Sequence, residues 1–288
     1  MSLVVAQVTD EGPRIVSDTR VIFRDGRRPR LRTGVLKTIV VSADCTVSFA
    51  GDVYRGLSAV REFARLKGAG HGIERGIRGL RTAAGESAGA VEFIVASADP
   101  AAGLVRIRSS GIERDLIATW IGDCTAFEGF QAGRDKPIHP YLAAMLSPAE
   151  MVMMTLTGAM SAVIADPALE SVGDFCVAAA ATGGAFNYLP SMESHVGRDY
   201  RVEGGRILLA SIRPVEEGGY AFSVVQPVRP GIPAIGVSFP AARLGLLYLP
   251  LEFDEAQVIE AVSAREFVTA SRARYGVELS TPMLAGPP

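Results

Sequence analysis

The sequence contains little cysteine, histidine or tryptophan. Its 288 residues include three cysteines, three histidines and one tryptophan. The cysteines are far apart, form no Cys-x-x-Cys pair and have no histidine nearby; they are Cys45, Cys124 and Cys176. An odd number of isolated cysteines predicts neither a disulfide framework nor a zinc site. We therefore expect a fold held together by its hydrophobic core.

A strong charge imbalance and a hydrophobic leader are also missing. The formal net charge of −2 provides no general attraction to nucleic acid or to an anionic membrane. Five arginines crowd residues 24–32, and we expect this segment to be a solvated hairpin loop. Thr9, Asp10 and Glu11 interrupt the apolar start of the chain, so no signal peptide is predicted, and no uninterrupted apolar run has transmembrane length. The expected location is the cytoplasm, with no nucleic-acid or membrane partner.

Apolar residues are abundant and alternate with turn signals. Hydrophobic residues make up 48% of the chain, which is enough for a sizeable core. Short β-branched runs at 3–8 and 14–18 flank a turn-forming cluster and predict an antiparallel hairpin, and 35–42 and 45–50 repeat the pattern. Periodicity and composition then predict helices at 54–66, 73–84, 124–131, 139–146 and 148–165, and strands at 91–97, 103–108, 115–121, 174–181 and from Phe186 onward.

Strand character continues in the last third of the chain. Candidate strands cover 206–212, 219–226, 233–239 and 244–249, and a charged amphipathic helix is predicted at 253–274. No linker-like stretch precedes these elements. We therefore expect residues 1–288 to form a single domain, with 281–288 as a disordered tail.

The chemistry-bearing residues are concentrated near the amino terminus. If Met1 is removed, Ser2 becomes the first residue, and its α-amine can accept the proton of its own hydroxyl. One residue would then supply both nucleophile and base. Asp18 ends the second predicted strand, Lys37 lies near the start of the third, and Ser48-Phe49 lies near the end of the fourth.

The order and approximate spacing of these residues resemble proteasome β-subunits and the simpler bacterial ATP-dependent peptidase of the same N-terminal-nucleophile family. The resemblance implies that Ser2 is the nucleophile, that Lys37 acts on its hydroxyl and that Asp18 holds Lys37. It also implies that the backbone amides at Ser48 and Phe49 stabilise an oxyanion.

The same resemblance implies a fold and a sixth site residue. The fold would be α+β, a four-layer αββα sandwich over residues 2–190, with residues 200–280 as an appended β-rich extension ending in a helix. Asp123 falls where the family has a serine that assists the amine, so this chain would place a carboxylate there.

Two functions follow from the resemblance. The first is a hydrolase that cleaves peptide or amide bonds through Ser2, without a cofactor, in a homo-oligomer whose ATPase partner, if any, the sequence does not identify. The alternative is a catalytically inactive ring or scaffold subunit. Retention of Met1 would favour the alternative, because an acylated nitrogen is not a base.

A second serine motif competes with Ser2. Gly85-Glu86-Ser87-Ala88-Gly89 matches the Gly-x-Ser-x-Gly nucleophile elbow of α/β-hydrolases letter for letter. That elbow requires a strand before the serine and a helix after it. Here a predicted helix precedes the serine and a predicted strand follows it. We therefore interpret the motif as a polar turn between helix and strand.

Overall fold

The computed structural model describes residues 2–21, 34–195, 197–203, 206–214, 220–239 and 242–280. The fold is mixed α+β, and all paired strands are antiparallel. The predicted arginine-rich loop and the predicted tail at 281–288 lie outside the described residues.

The first 190 residues form ten strands and five helices within the described part of the chain. The strands are β1 (Leu3–Thr9), β2 (Gly12–Ser17), β3 (Thr38–Ser42), β4 (Cys45–Gly51), β5 (Val91–Ser97), β6 (Leu104–Arg108), β7 (Gly111–Leu116), β8 (Ala118–Gly122), β9 (Val177–Thr182) and β10 (Ala185–Tyr188). The helices are α1 (Val53–Gly68), α2 (Ile73–Glu86), α3 (Cys124–Arg134), α4 (Pro140–Ala143) and α5 (Pro148–Ala165).

These strands form two five-stranded sheets. The amino-terminal sheet has the order β10-β9-β2-β1-β8, and the central sheet has the order β3-β4-β5-β6-β7. Apolar side chains from both sheets, such as Val4, Ile15 and Ile94, form one buried cluster. A second cluster joins the central sheet to α1 and α2, and a third joins the amino-terminal sheet to α3 and α5.

The carboxy-terminal part adds eight strands and one helix in its described residues. The strands are β11 (Ser191–His195), β12 (Gly197–Glu203), β13 (Arg206–Pro214), β14 (Tyr220–Pro227), β15 (Ile235–Phe239), β16 (Leu244–Tyr248), β17 (Gln257–Glu260) and β18 (Leu279–Ser280), and the helix is α6 (Ala264–Tyr275). The carboxy-terminal sheet has the order β11-β14-β15-β16-β17, with β18 on β14, while β12 and β13 pair with each other.

Helix α6 packs closely on the carboxy-terminal sheet. The ring of Phe267 is fully buried, and a Cβ placed on Gly236 or Gly245 would lie 2.5 or 2.3 Å from that ring. Glycine is therefore needed on both strands where the ring approaches the backbone.

The carboxy-terminal sheet shares its core with the first two sheets. Val237, Leu246 and Tyr248 belong to the same buried cluster as the facing residues of the amino-terminal and central sheets. The rings of Phe175 and Phe239 also lie 5.5 Å apart between centroids. The extension therefore contacts the rest of the protein at Phe175, the residue directly after Asp174.

Several predicted elements need correction. The predicted strand 115–121 is split between β7 and β8, which belong to different sheets. The predicted strand 174–181 begins only at β9, because Asp174 has a left-handed backbone with φ of 65°. The predicted helix 253–274 is β17 followed by α6, since Ser263 caps the helix at Glu266.

Helix α5 also corrects the expectation about membrane-spanning length. It is long and apolar enough to cross a bilayer by length and composition alone, a property that core helices share. Five of its buried residues belong to the cluster with the amino-terminal sheet and α3; they are Met153, Leu156, Ala159, Met160 and Val163. Polar residues within the helix, such as Thr155 and Ser161, interrupt its apolar sequence, so it contains no uninterrupted apolar run of membrane-spanning length.

Candidate active site

Ser2 lies immediately before β1, at the edge of its pairing with β8. Its carbonyl accepts a hydrogen bond of 2.8 Å from the Asp123 amide, and the next residue, Leu3, pairs with Gly122. Gly122 has a φ of 112°, and an added Cβ there would lie 1.8 Å from the Ser2 carbonyl oxygen. The close approach of β8 therefore requires glycine and fixes the backbone of Ser2.

Asp18 ties this end of β1 to Lys37. Its Oδ1 accepts a hydrogen bond of 3.0 Å from the Leu3 amide, one residue from Ser2. Its Oδ2 accepts one of 2.7 Å from the Lys37 Nζ and longer ones from the amides of Arg20 and Gly173. The structure thus places Asp18 and Lys37 in contact, next to Leu3, the residue that follows the predicted nucleophile Ser2.

The Asp18–Lys37 pair is completely buried. Both side chains are 0% exposed, so each charge depends on the other for stabilisation. Burial lowers the pKa of Lys37 below its usual value, while the charge and hydrogen bond of Asp18 act in the opposite direction. The ammonium form of Lys37 is therefore sensitive to every other charge nearby.

Ser48 and Phe49 lie on β4, next to Lys37. The Phe49 amide donates a hydrogen bond of 2.9 Å to the Lys37 carbonyl, so in this conformation it is engaged and does not face an oxyanion. The Ser48 hydroxyl donates to Thr38, whose hydroxyl donates to Ser17, each over 3.1 Å. This buried hydroxyl chain connects strands of the two facing sheets beneath the Asp18–Lys37 pair.

Asp123 acts as the N-cap of α3. Its Oδ1 accepts a hydrogen bond of 3.1 Å from the Ala126 amide. Burial alone would raise its pKa, but hydrogen bonds from the Ser171 hydroxyl and from helix amides hold the pKa below its usual value. Asp123 is therefore adjacent to Ser2 through the backbone, while its carboxylate is engaged by the helix terminus.

Asp174 and Arg20 also belong to this site, although neither was predicted as a site residue. Asp174 is 9% exposed, and burial raises the pKa of its carboxyl to about 7 against the opposing effect of Arg20. The same electrostatic surroundings include Asp18 and Lys37. We call Asp18, Arg20, Lys37 and Asp174 the four-charge cluster. A single polar residue directly before an apolar strand is the only sequence signal that Asp174 provides.

The competing serine occupies a structural turn. Ser87 follows α2, and its hydroxyl donates to the Ala84 carbonyl over 2.8 Å and accepts from the Val91 amide over 3.2 Å. A helix precedes it and β5 follows it, which is the reverse of a nucleophile elbow. Its hydroxyl closes the turn between α2 and β5.

The described residues contain no group of three or more histidine, cysteine, aspartate or glutamate side chains arranged to hold a metal ion. Comparison of the chain with protein-family models gives no match, and comparison with curated proteins gives none either. The geometry of the site is therefore the basis for assigning a function.

Proposed function

We propose that the chain is an N-terminal serine hydrolase that cleaves peptide or amide bonds after removal of Met1. The observation that carries the proposal is the completely buried Asp18–Lys37 pair, hydrogen-bonded to the Leu3 amide directly after Ser2. A buried ion pair costs solvation energy and contributes little net stability. Its placement at the start of the first strand is accounted for by chemistry at Ser2.

The packing of the layers supports the same family. The two facing sheets share one cluster, α1 and α2 cover the central sheet, and α3 and α5 cover the amino-terminal sheet. This order is the one that a four-layer αββα sandwich of proteasome β-subunit type requires, so we assign residues 2–190 to that fold. The residues from 200 to 280 are its extension.

In the proposed reaction the Ser2 hydroxyl attacks the substrate carbonyl and its own α-amine takes the proton. The unperturbed pKa of an α-amine, about 7.7–8.0, suits this transfer near neutral pH. The amine then gives the proton to the leaving nitrogen, and the acyl group remains on Oγ. Water attacks this ester, again with the amine as base, and releases the acid and free Ser2.

Lys37 and Asp18 do not exchange protons with the substrate in this scheme. The Lys37 ammonium stabilises the developing negative charge at the Ser2 oxygen, and Asp18 keeps the ammonium oriented and charged. Oxyanion donors are typically worth about 2.7–4 kcal/mol each. The Phe49 amide is bonded to Lys37, and Ser48 pairs with Thr38 on one side and Ile94 on the other within the central sheet, so we assign this role to neither amide.

Self-association and a cytoplasmic location belong to the same proposal. Tyr141 and Met145 are 68% and 67% exposed, and Met151 and Met154 of the following helix, α5, are partly exposed. Exposed apolar side chains close together in the sequence favour a contact with another copy of the chain. Sedimentation as a monomer at micromolar concentration would contradict this part.

The test is hydrolysis of a panel of fluorogenic peptide amides by protein made without an amino-terminal tag. Ser2→Ala deletes one oxygen and no core volume, so it should abolish turnover without unfolding the protein. Ser87→Ala is the control, and it should retain activity. Loss of activity in Ser87→Ala alone would favour the elbow, and no turnover of any amide by the processed wild type would favour the inactive scaffold.

A further inference from the structure

We propose that Asp174 is a positioning residue that sets the charge state of Lys37, at a point where the carboxy-terminal sheet closes over the site. This role rests on the proposed hydrolase function of Ser2. It also predicts a property of Lys37 that is measurable without any turnover.

The backbone at Asp174 lies in a region that few residues with side chains adopt. Its φ of 65° is in the left-handed region, where aspartate and asparagine occur more often than other side chains. Gly173 donates its amide to Asp18, and Phe175 donates its amide to the Thr19 hydroxyl. The residues on both sides of Asp174 are thus hydrogen-bonded to Asp18 and Thr19, which directly follow β2.

These hydrogen bonds hold the backbone of Asp174 one residue from Gly173, whose amide shares the Asp18 Oδ2 atom with Lys37, and the Asp174 carboxyl interacts electrostatically with the other three members of the four-charge cluster. Arg20 reaches the same segment, with its Nη1 3.5 Å from the Val172 carbonyl. Arg20 and Lys37 favour the ionised carboxyl, whereas burial and the Asp18 charge oppose it. Asp174 in turn favours the ammonium form of Lys37.

The carboxy-terminal sheet supplies the remaining neighbour. Tyr248, at the end of β16, is buried, and burial together with the Asp174 charge raises the pKa of its phenol. Phe239 of β15 packs on Phe175. The extension therefore packs against the residue next to Asp174, and the charge of this buried carboxyl is poorly screened.

Charge balance determines the consequence. With Asp174 ionised, the cluster holds two positive and two negative charges and is neutral. With Asp174 protonated, it carries one net positive charge, and a buried net charge favours loss of the Lys37 proton. The ammonium that the proposed mechanism needs is thus best supported above the pH at which Asp174 titrates.

The decisive variant is Asp174→Asn. Asparagine has nearly the same shape and tolerates the left-handed region, but it is neutral at every pH. Lys37 in this variant should behave at all pH values as it does in the wild type at low pH. Asp174→Gly also tolerates the left-handed region and serves as the second variant if asparagine disturbs folding.

The first readout is the ratio of wild-type to variant kcat between pH 5.5 and 9. The titration of the α-amine is common to both proteins and cancels in this ratio. We expect a ratio within about twofold at pH 5.5 that rises to about tenfold or more at pH 8.5. A change of about one unit in the pKa of Lys37 changes the ratio of its ammonium to its neutral form tenfold. The exposed Asp135→Asn variant should give a flat ratio near one. A flat ratio for Asp174→Asn would assign that residue a purely structural role and overturn the proposal.

The second readout does not require activity. The chain has only three lysines, Lys37, Lys67 and Lys136, so side-chain lysine NMR signals can be assigned by single substitutions. In the Ser2→Ala background we expect the Lys37 signal to show a step near pH 7 that Asp174→Asn removes.

This second readout separates the two failures. A Lys37 step that depends on Asp174, in a protein without hydrolase activity, would sustain the coupling and refute the proposed function. An identical Lys37 profile with aspartate and with asparagine at position 174 would refute the coupling, whatever the activity.

Discussion

Substitution of Lys37 by methionine tests whether the Asp18–Lys37 pair is as buried and as dependent on its partner as the geometry indicates. Methionine preserves most of the apolar stem and removes the ammonium, so little volume is lost. Among the described residues, the Asp18 carboxylate then keeps the amide donors of Leu3, Arg20 and Gly173.

The expected cost follows from the complete burial of both groups. Removing one partner of a buried ion pair typically destabilises a protein by about 3–5 kcal/mol, because an uncompensated charge stays buried. The three remaining amide donors offset part of this cost, so we expect a loss of about 3 kcal/mol. The double variant Lys37→Met/Asp18→Asn should be less destabilised than the sum of the single variants, since it contains no orphaned charge.

The assay is urea unfolding followed by circular dichroism, and a surface pair provides the control. Lys67 and Asp44 are also close, at 2.6 Å, but their side chains are 25% and 61% exposed. Exposed pairs contribute about 0–1 kcal/mol, so Lys67→Met should change the free energy of unfolding by no more than that. Equal costs for Lys37→Met and Lys67→Met would mean that burial does not make Asp18 depend on Lys37.

Three further substitutions test other parts of the structure. Gly122→Ala should lower the free energy of unfolding by more than about 1 kcal/mol, because the new Cβ meets the Ser2 carbonyl; an unchanged urea midpoint would contradict this. Tyr188→Phe removes a hydroxyl that bridges two buried backbone groups of β3 and should cost about 1–3 kcal/mol in the same assay; a neutral effect would mean that those groups find other partners. Burial raises the pKa of Asp174 from 3.8 to about 7. The contribution of this carboxyl to the free energy of unfolding is therefore greatest below its pKa in the unfolded chain, and it is lost as the pH rises through 7. Asp174→Asn should therefore gain stability over the wild type between pH 4 and 7, up to about 4 kcal/mol, and a pH-independent difference would rule this out.

The sequence predicted those elements whose pattern is local. Helix α5 (Pro148–Ala165) coincides with its prediction because good helix formers follow a Ser147–Glu150 capping box. The first hairpin was also recognised, since a turn-forming cluster separates two β-branched runs. Such signals require no knowledge of the rest of the chain.

Errors arose where tertiary contacts decide the structure. Residues 115–121 have uniform strand character, yet Asp115 has a φ of 55°, and the chain crosses from the central to the amino-terminal sheet near Ile117. The segment before α6 has helical composition, but Gln257–Glu260 pairs with β16. Neither a sheet change nor an edge pairing has a local sequence signature.

The candidate site divides in the same way. Asp18 and Lys37 were predicted from the resemblance of the first fifty residues to N-terminal-nucleophile hydrolases, and the structure places them in contact. Asp174 was assigned to a strand. Its place in the site was not predicted, because it depends on contacts between residues more than 150 positions apart in the sequence. The engagement of the Phe49 amide by Lys37 likewise depends on strand register.

The chemical state of residue 2 decides whether Ser2 is the nucleophile. Untagged protein is treated with a peptide epoxyketone, which bridges a hydroxyl and a free α-amine on one residue, and the intact mass and the site of labelling are then measured. We expect loss of Met1 and one adduct at Ser2. Retention of Met1 in the purified protein, or an adduct at Ser87, would contradict this expectation.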